Sequence, residues 1–449
     1  MSSALLTLKN MVADHNRFDL PYNDVQALQL EAVNELFQQQ KSTIKLLAHR
    51  AQQANIDHIN SLADLVPLLF PHTVYKSYPE SFLMNKRWDK LAKWLQATSS
   101  VPVPVEDPEQ YPDIDSWLAS LEKHGVFVNC SSGTTGKSAM LVSSKKDMDW
   151  LLTEAVAAYT WGSGVSASND RKIFGMAPVA LTPRNTQTGV AYRNALQRPD
   201  CESFAYPVPP ITVGSLTSMV VLRKKIAEGT ATPQELQDFE ETSKVRQQQM
   251  EDAVGIAAQA IIADRGLRLH ISGMWASLYA IAVKVREAGY SAKDFDPENS
   301  IYVGGGLKRA KLPDDYREFV YETFNIQPER NYQNYSMQEL QSGMPRCREG
   351  NRYHIPPWVI PLVLEKTGET VLPHVGTEIE GRAAFVDLSL EGRWGGVITG
   401  DKVSIDYSPC SCGACGPSIR DDIMRYADIE GDDKIGCAGT VDAYVRGMS

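Results

Sequence analysis

Apolar residues mark one face of residues 20–60, where Leu28, Leu30, Val33, Leu36 and Phe37 recur at three- and four-residue spacing and predict helix. Pro67 and Pro71 break the next stretch, and Pro102, Pro104, Pro108 and Pro112 make residues 99–112 an extended connector. A helix over 114–123 leads into an apolar strand over 126–128. Thr232-Pro233-Gln234-Glu235 opens a long helix to about residue 262, with proline in the first turn and a capping glutamate. Gln247, Gln248 and Gln249 lie on its solvated face. Strand and helix then alternate: strand 267–271, helix 274–287, strand 301–303, helix 314–324. Such alternation predicts a parallel sheet with ligands at the strands' carboxyl ends. From residue 352 the pattern turns to strands, at 359–364, 383–387 and 396–398. No internal repeat or low-complexity tract is present.

The strand over 126–128 empties into Cys130-Ser131-Ser132-Gly133-Thr134-Thr135-Gly136-Lys137-Ser138. Glycines let backbone N–H groups approach a polyphosphate, hydroxyls bond it and a lysine offsets its charge. The P-loop pattern fails here, because the residue that should be its first glycine is Ser131. The apolar residues Ala139 to Val142 then predict a second strand rather than a phosphate-facing helix, so the loop reads as a hairpin turn. An ordinary Ser/Gly/Thr turn is the competing reading.

Composition narrows the classes. A 449-residue chain that is 43% hydrophobic and 22% charged is ordinary for a globular protein and long enough for one large core or two to three smaller ones. A formal net charge of -10 argues against nonspecific nucleic-acid binding, which wants a basic face. No signal-peptide pattern opens the chain and no apolar run reaches the length of a spanning helix, so neither a membrane nor nucleic acid is expected as a partner and a cytoplasmic location is expected.

Ser131-Ser132-Gly133-Thr134-Thr135-Gly136-Lys137 resembles the phosphate-binding motif of the adenylate-forming superfamily, which includes acyl-CoA synthetases, adenylation domains and luciferases. It is most similar to the phenylacetate-CoA ligase branch, with Ser138 in place of that branch's proline. Three further stretches appear in the superfamily's order. Gly304-Gly305-Gly306 ends a strand where the superfamily turns its backbone against adenine. Tyr332-Gln333-Asn334-Tyr335-Ser336-Met337-Gln338-Glu339 resembles the YGxTE motif, with Ser336 for glycine and Gln338 for threonine. Thr399-Gly400-Asp401 resembles TGD, and a carboxylate just past a strand end suits both ribose hydroxyls.

The resemblance implies an α/β fold: the large N-terminal domain of the adenylate-forming enzymes, with stacked, mostly parallel sheets, helices and a β-rich subdomain. It implies ATP binding by Ser131, Ser132, Gly133, Thr134, Thr135, Gly136, Lys137, Gly304, Gly305, Gly306, Asn334, Tyr335, Ser336 and Asp401. Catalytic roles would fall to Lys137, Gln338 and Glu339, with Mg²⁺ on Glu339. The implied chemistry is activation of a carboxylic acid as acyl-adenylate, then transfer to a thiol, coenzyme A first and a carrier protein second. A nucleotide-binding regulatory protein of weak catalysis is a reading of another class, motivated by Gln338. Phe174, Met176, Trp275 and Tyr279 are candidates for an acyl pocket and equally for plain core. A homodimer is one arrangement admitted.

Seven cysteines are present, and Cys410, Cys412 and Cys415 crowd into six residues. Cys-x-Cys and Cys-x-x-Cys spacings let thiolates converge on Zn²⁺, with Cys347 the candidate fourth ligand and His354 the alternative. Reduced structural thiols are the competing reading. Cys130, beside the loop, reads as a small buried residue before a thioester nucleophile. The expected organisation is a helical region and connector (1–112), an α/β core (113–345), a β-rich subdomain with the cysteine knuckle (346–440) and a hinge (441–449). The superfamily's small lid would come after the hinge and is expected to be absent, which implies weak adenylation by these residues alone.

Overall fold

The structure is a computed structural model describing residues 3–131, 137–305, 307, 310–431, 433–436 and 438–447. The chain forms two compact units that interleave in sequence. One holds residues 1–157, 182–184 and 334–449; the other holds 158–181 and 185–333.

In the first unit the strands are mostly antiparallel. Among the described residues a seven-stranded sheet is built on Val359–Leu364, Glu378–Asp387 and Gly396–Asp406, paired in that order. The first and the inner half of the second are buried residue after residue, and Ala383, Ala384, Phe385 and Val386 are wholly buried. Such continuous apolar runs belong to strands covered on both faces. A β-bulge between Arg382 and Ala384 shifts the register against the neighbouring strand, so that Arg382 pairs Lys402 while Ala384 pairs Ile398.

Val126–Cys130 and Met140–Ser144 pair antiparallel, from Val126 opposite Ser144 to Cys130 opposite Met140. Two strands adjacent in sequence thus pair with each other, as the apolar pattern on either side predicts. Ser131 adds one more rung: its N–H donates to Ala139 O (3.0 Å) and its hydroxyl accepts from Ala139 N–H (2.8 Å).

The second unit carries the predicted parallel sheet. Lys172–Gly175, Leu269–Gly273, Ser300–Val303 and Asn331–Tyr332 lie side by side, all parallel. Trp275–Glu287 and Tyr316–Phe324 supply the crossovers and pack against each other. Phe174, Met176 and Trp275 are buried in this unit's core with Ile271, Leu278 and Ile301, so they fill rather than line space. Thr232 caps the helix Pro233–Ala263 reciprocally with Glu235, and most of the helix before Ala253 is exposed.

One local expectation is corrected. The apolar face over 20–60 is split between Tyr22–Gln40 and Lys45–Ala54, because Lys41 to Ile44 turn between them. Residues 441–447 lie in the helix Ala438–Gly447. Its Val441 and Val445 are buried, and Tyr444 stacks on His49 at 3.7 Å. The valines stand four apart, the spacing that puts both on one helical face. No described helix is long and apolar enough to cross a membrane.

Candidate functional site

The stem of the hairpin is positioned by Tyr78. Its hydroxyl donates to Ser138 O (2.8 Å), its own carbonyl accepts from Lys137 Nζ (2.7 Å), and the ammonium stands 5.3 Å over its ring. Ser132, Gly133, Thr134, Thr135 and Gly136, the centre of the expected phosphate loop, lie outside the described residues. Cys130 ends the strand beneath, and burial pushes its thiol up to about 12. At neutral pH the thiol stays protonated, which argues against a nucleophile. Cys130 is expected to resist iodoacetamide in the native protein and to react on unfolding. Mass spectrometry of the labelled peptides checks this, and rapid native labelling would contradict it.

Tyr335 and Asp401 come together. Asp401 lies in the strand Gly396–Asp406, opposite Arg425, and the Tyr335 hydroxyl donates to Asp401 Oδ2 at 2.7 Å. Burial and then the Asp401 charge hold the phenol well above its usual range, so it stays protonated and donates. The Arg425 guanidinium is 3.6 Å from Asp401 Oδ1. On the neighbouring strand, buried Arg382 donates to Thr399 O (2.8 Å) and pairs with Asp433 (2.8 Å), which also bonds His72 (2.9 Å).

The turn carrying Gln338 and Glu339 comes after Tyr335, whose short strand pairs Asn334 with Pro345. Asn334 and Glu339 are half-buried, and Ser336 is exposed. Gln338 Oε1 is buried with no hydrogen-bond partner among the described residues. Glu339 follows it in the chain, and an amide oxygen and a carboxylate are both hard donors of the type that magnesium takes. In donor type the residues present fit a divalent cation.

In the other unit, Gly304 N–H donates to Gly273 O (3.0 Å) at the carboxyl edge of the parallel sheet. Gly305 has φ of 72°, a conformation that glycine adopts without strain. Gly306 lies outside the described residues.

The cysteines converge, though not in the expected set. Ligand atoms of Cys347, His354, Cys410 and Cys412 all lie within 4.8 Å of one another. Cys347 Sγ to Cys410 Sγ is 3.7 Å, and Cys412 Sγ to His354 Nε2 is 3.5 Å. Tetrahedral zinc, with Zn–S of about 2.3 Å and Zn–N of about 2.0 Å, would space its ligands about 3.8 Å (S to S) and about 3.5 Å (S to N). The donor set fits zinc in type and spacing. Cys415 stands outside it, its thiol directed to Gly413 O (3.6 Å), and His354 joins the three thiols instead. The reason is the knuckle's own turn. Gly413 N–H donates to Cys410 O and Cys410 N–H to Ala414 O, which curls Cys410 and Cys412 toward the strand Tyr353–His354. A Cβ at Gly350 would sit 2.1 Å from Cys410 Sγ, so only glycine fits against the cluster. Burial opposes charge on all the groups with a resolved shift, yet hydrogen bonds among them win. Cys347 and Cys410 are lowered, Cys410 to about 6, and His354 is raised to about 11. A donor set this ready to lose thiol protons is suited to a cation.

Residues without a motif complete the site. Asp387, wholly buried at the end of its strand, accepts from Gln341 N–H and Ser342 N–H, both at 2.8 Å. Glu154 accepts from Gly343 N–H (2.9 Å), and burial raises its carboxyl to about 7. Nothing in the local sequence around Tyr78, Glu154 or Asp387 marks them, since each acts on backbone far away in the chain.

No protein-family model matches the chain, and no curated protein matches it by sequence. Solved structures do match in fold. One is 2-hydroxyisobutyryl-CoA ligase in the postadenylation state in complex with R3-HIB-AMP: 12% identity, TM-score 0.56, with 96% of this chain and 74% of that chain covered. The same ligase in the thioesterification state, in complex with 2-HIB-AMP and CoA, matches at 13% identity and TM-score 0.57, over 91% of this chain and 70% of that one. Its open conformation with the same two ligands gives 11% and 0.54, over 92% and 77%. At these identities the likeness is one of fold.

Proposed function

We propose that this chain, which has the adenylate-forming fold, activates a carboxylic acid with ATP and passes the acyl group to a thiol, coenzyme A first among the candidates. The observation that carries the reading is the 2.7 Å bond between Tyr335 and Asp401. These residues come from two separate motifs 66 positions apart, one assigned to adenine and one to ribose, and they meet in one unit as a single nucleoside would require.

In the first half-reaction a carboxylate oxygen of the acid attacks the α-phosphorus of ATP. The new P–O bond forms as the bond to pyrophosphate breaks, in line. Positioning and charge neutralisation carry such a step. Asp401 would accept both ribose hydroxyls in place of the Tyr335 phenol, leaving that ring free to lie along adenine. Gly304, Gly305 and Gly306 would give adenine a backbone edge without side chains. Asn334 and Ser336 would contact the nucleotide from either side of Tyr335. Ser131, Ser132, Gly133, Thr134, Thr135 and Gly136 would donate to the β- and γ-phosphates, with the Lys137 ammonium offsetting their charge. Glu339 and the Gln338 amide oxygen would hold Mg²⁺, whose chemistry when bound is to neutralise the phosphate oxygens. In the second half-reaction the acceptor thiol loses its proton and attacks the acyl carbonyl, forming C–S as C–O to AMP breaks.

The Cys347, His354, Cys410 and Cys412 cluster would hold zinc in a structural role. Four protein ligands close the tetrahedron and leave no position for substrate.

Exchange of labelled pyrophosphate into ATP tests the reading. Acid-dependent exchange is expected for at least one class within a panel of short hydroxy, aryl and fatty acids. Trapping the product with coenzyme A or with a carrier-protein phosphopantetheine identifies the acceptor. Absence of both exchange and ATP binding would overturn the proposal.

A further inference from the structure

The turn from Met337 to Gln341 carries a backbone bond from Leu340 N–H to Met337 O (3.3 Å), and two arginines reach all five of its carbonyls. Arg184 Nη1 donates to Met337 O (2.7 Å) and Leu340 O (2.6 Å), and its Nη2 to Gln341 O (3.2 Å). Arg393 Nη2 donates to Gln338 O (3.0 Å) and Glu339 O (3.1 Å). The same two residues grip the hairpin stem. Arg393 Nη1 donates to Val142 O (2.8 Å) and Ser143 Oγ (3.1 Å), while Arg184 N–H donates to Asn129 Oδ1 (2.8 Å). Asn129 Nδ2 and Ser143 Oγ, on opposite strands of that stem, are themselves joined at 3.0 Å.

We propose that Arg184 and Arg393 are positioning residues that set the Gln338–Glu339 turn against the phosphate-loop hairpin, so that a divalent cation on the triphosphate meets its carboxylate at the right distance. The proposal rests on the nucleotide reading above. A guanidinium is planar and carries five donors in a fixed fork, so one group can span carbonyls from two segments and hold their separation. Arg393 is 1% exposed, which leaves its bonds no water to compete with. From the other side, Asp387 and Glu154 take the amides of Gln341, Ser342 and Gly343. The carbonyls of the turn and the amides at its end are thus spent inward, while Gln338 keeps an unsatisfied side-chain oxygen. Supports of this kind, one step behind a metal ligand, change metal affinity by roughly 10- to 100-fold when removed.

The test is calorimetric binding of AMP without metal and of ATP with and without Mg²⁺, in wild type, Arg184→Gln, Arg393→Lys and Glu339→Gln. Arg184 is half-buried, so its variant keeps the test available if the Arg393 variant unfolds; circular dichroism and a melting curve report which variants are folded. In folded arginine variants, ATP affinity in Mg²⁺ is expected to fall roughly tenfold or more, with AMP affinity changed by less than about twofold. A lysine point charge cannot span both segments, so Arg393→Lys is expected not to rescue. Equal losses for AMP and MgATP would mean general destabilisation and overturn the proposal, as would MgATP affinity equal to wild type. If Glu339→Gln removes the Mg²⁺ response and Arg184→Gln does not, positioning fails alone. If wild type has no Mg²⁺ response, or Glu339→Gln retains it, the metal role of Glu339 fails and takes the proposal with it.

Discussion

Chelating the zinc proposed for Cys347, His354, Cys410 and Cys412, or replacing Cys410 with serine, is expected to lower the melting temperature by about 10 °C or more. Structural zinc contributes about 10–16 kcal/mol of binding free energy in small finger domains at neutral pH. Losing even about 4 kcal/mol of that shifts a domain of more than 150 residues by on the order of 10 °C. The location sharpens the expectation. Cys347 begins the turn to Asn351, Cys410 and Cys412 form the knuckle, and His354 sits wholly buried on a strand paired with Ser418–Ile419. Elemental analysis should find one zinc per chain in wild type and in Cys415→Ser, and less in Cys410→Ser and His354→Ala. Full zinc in Cys410→Ser with loss in Cys415→Ser would reverse the ligand assignment.

Asp401→Ala is expected to weaken AMP binding by roughly two to four orders of magnitude. Two charge-assisted hydrogen bonds to the ribose are worth about 1.5–3 kcal/mol each, and about 1.4 kcal/mol is tenfold in affinity. The lower end is favoured because binding must first displace the Tyr335 phenol from Asp401. Tyr335→Phe removes that competitor and keeps the ring, so its effect should be far smaller. The specific signature is loss of discrimination. Wild type should prefer AMP to its 2′,3′-dideoxy analogue, and Asp401→Ala should bind both alike, since the partner of the hydroxyls is gone. Calorimetry with the two nucleotides measures this. Undiminished AMP affinity in Asp401→Ala would remove the ribose assignment and the nucleoside site with it.

How far a feature can be read from the chain depends on the sequence distance over which it is made. The hairpin around Lys137 is legible because its two strands are apolar, short and adjacent, and the partners Cys130 and Met140 stand ten residues apart. The parallel sheet is legible because strands separated by helices leave it few other arrangements. The break between Gln40 and Lys45 is not, since the apolar spacing runs on while the chain turns. Spacing ranks Cys415 ahead of His354 because it counts residues along the chain. The ligand set is decided by which side of a turn each group faces, and the turn at Gly413 faces Cys415 away.

From the residues alone, the chain determines its local elements and the chemical types at its glycine-rich, acidic and sulfur-rich stretches, because propensity and side-chain chemistry act over a few residues. Only the tertiary structure decides which of these meet. Arg184 and Arg393 lie 153 and 55 residues from carbonyls they hold, Arg393 is 251 residues from Val142, and Asp401 is 66 from Tyr335. A hydrogen bond reaches about 3 Å whatever the separation in sequence, so such pairs exist only once the sheet and the hairpin have brought the backbone into place.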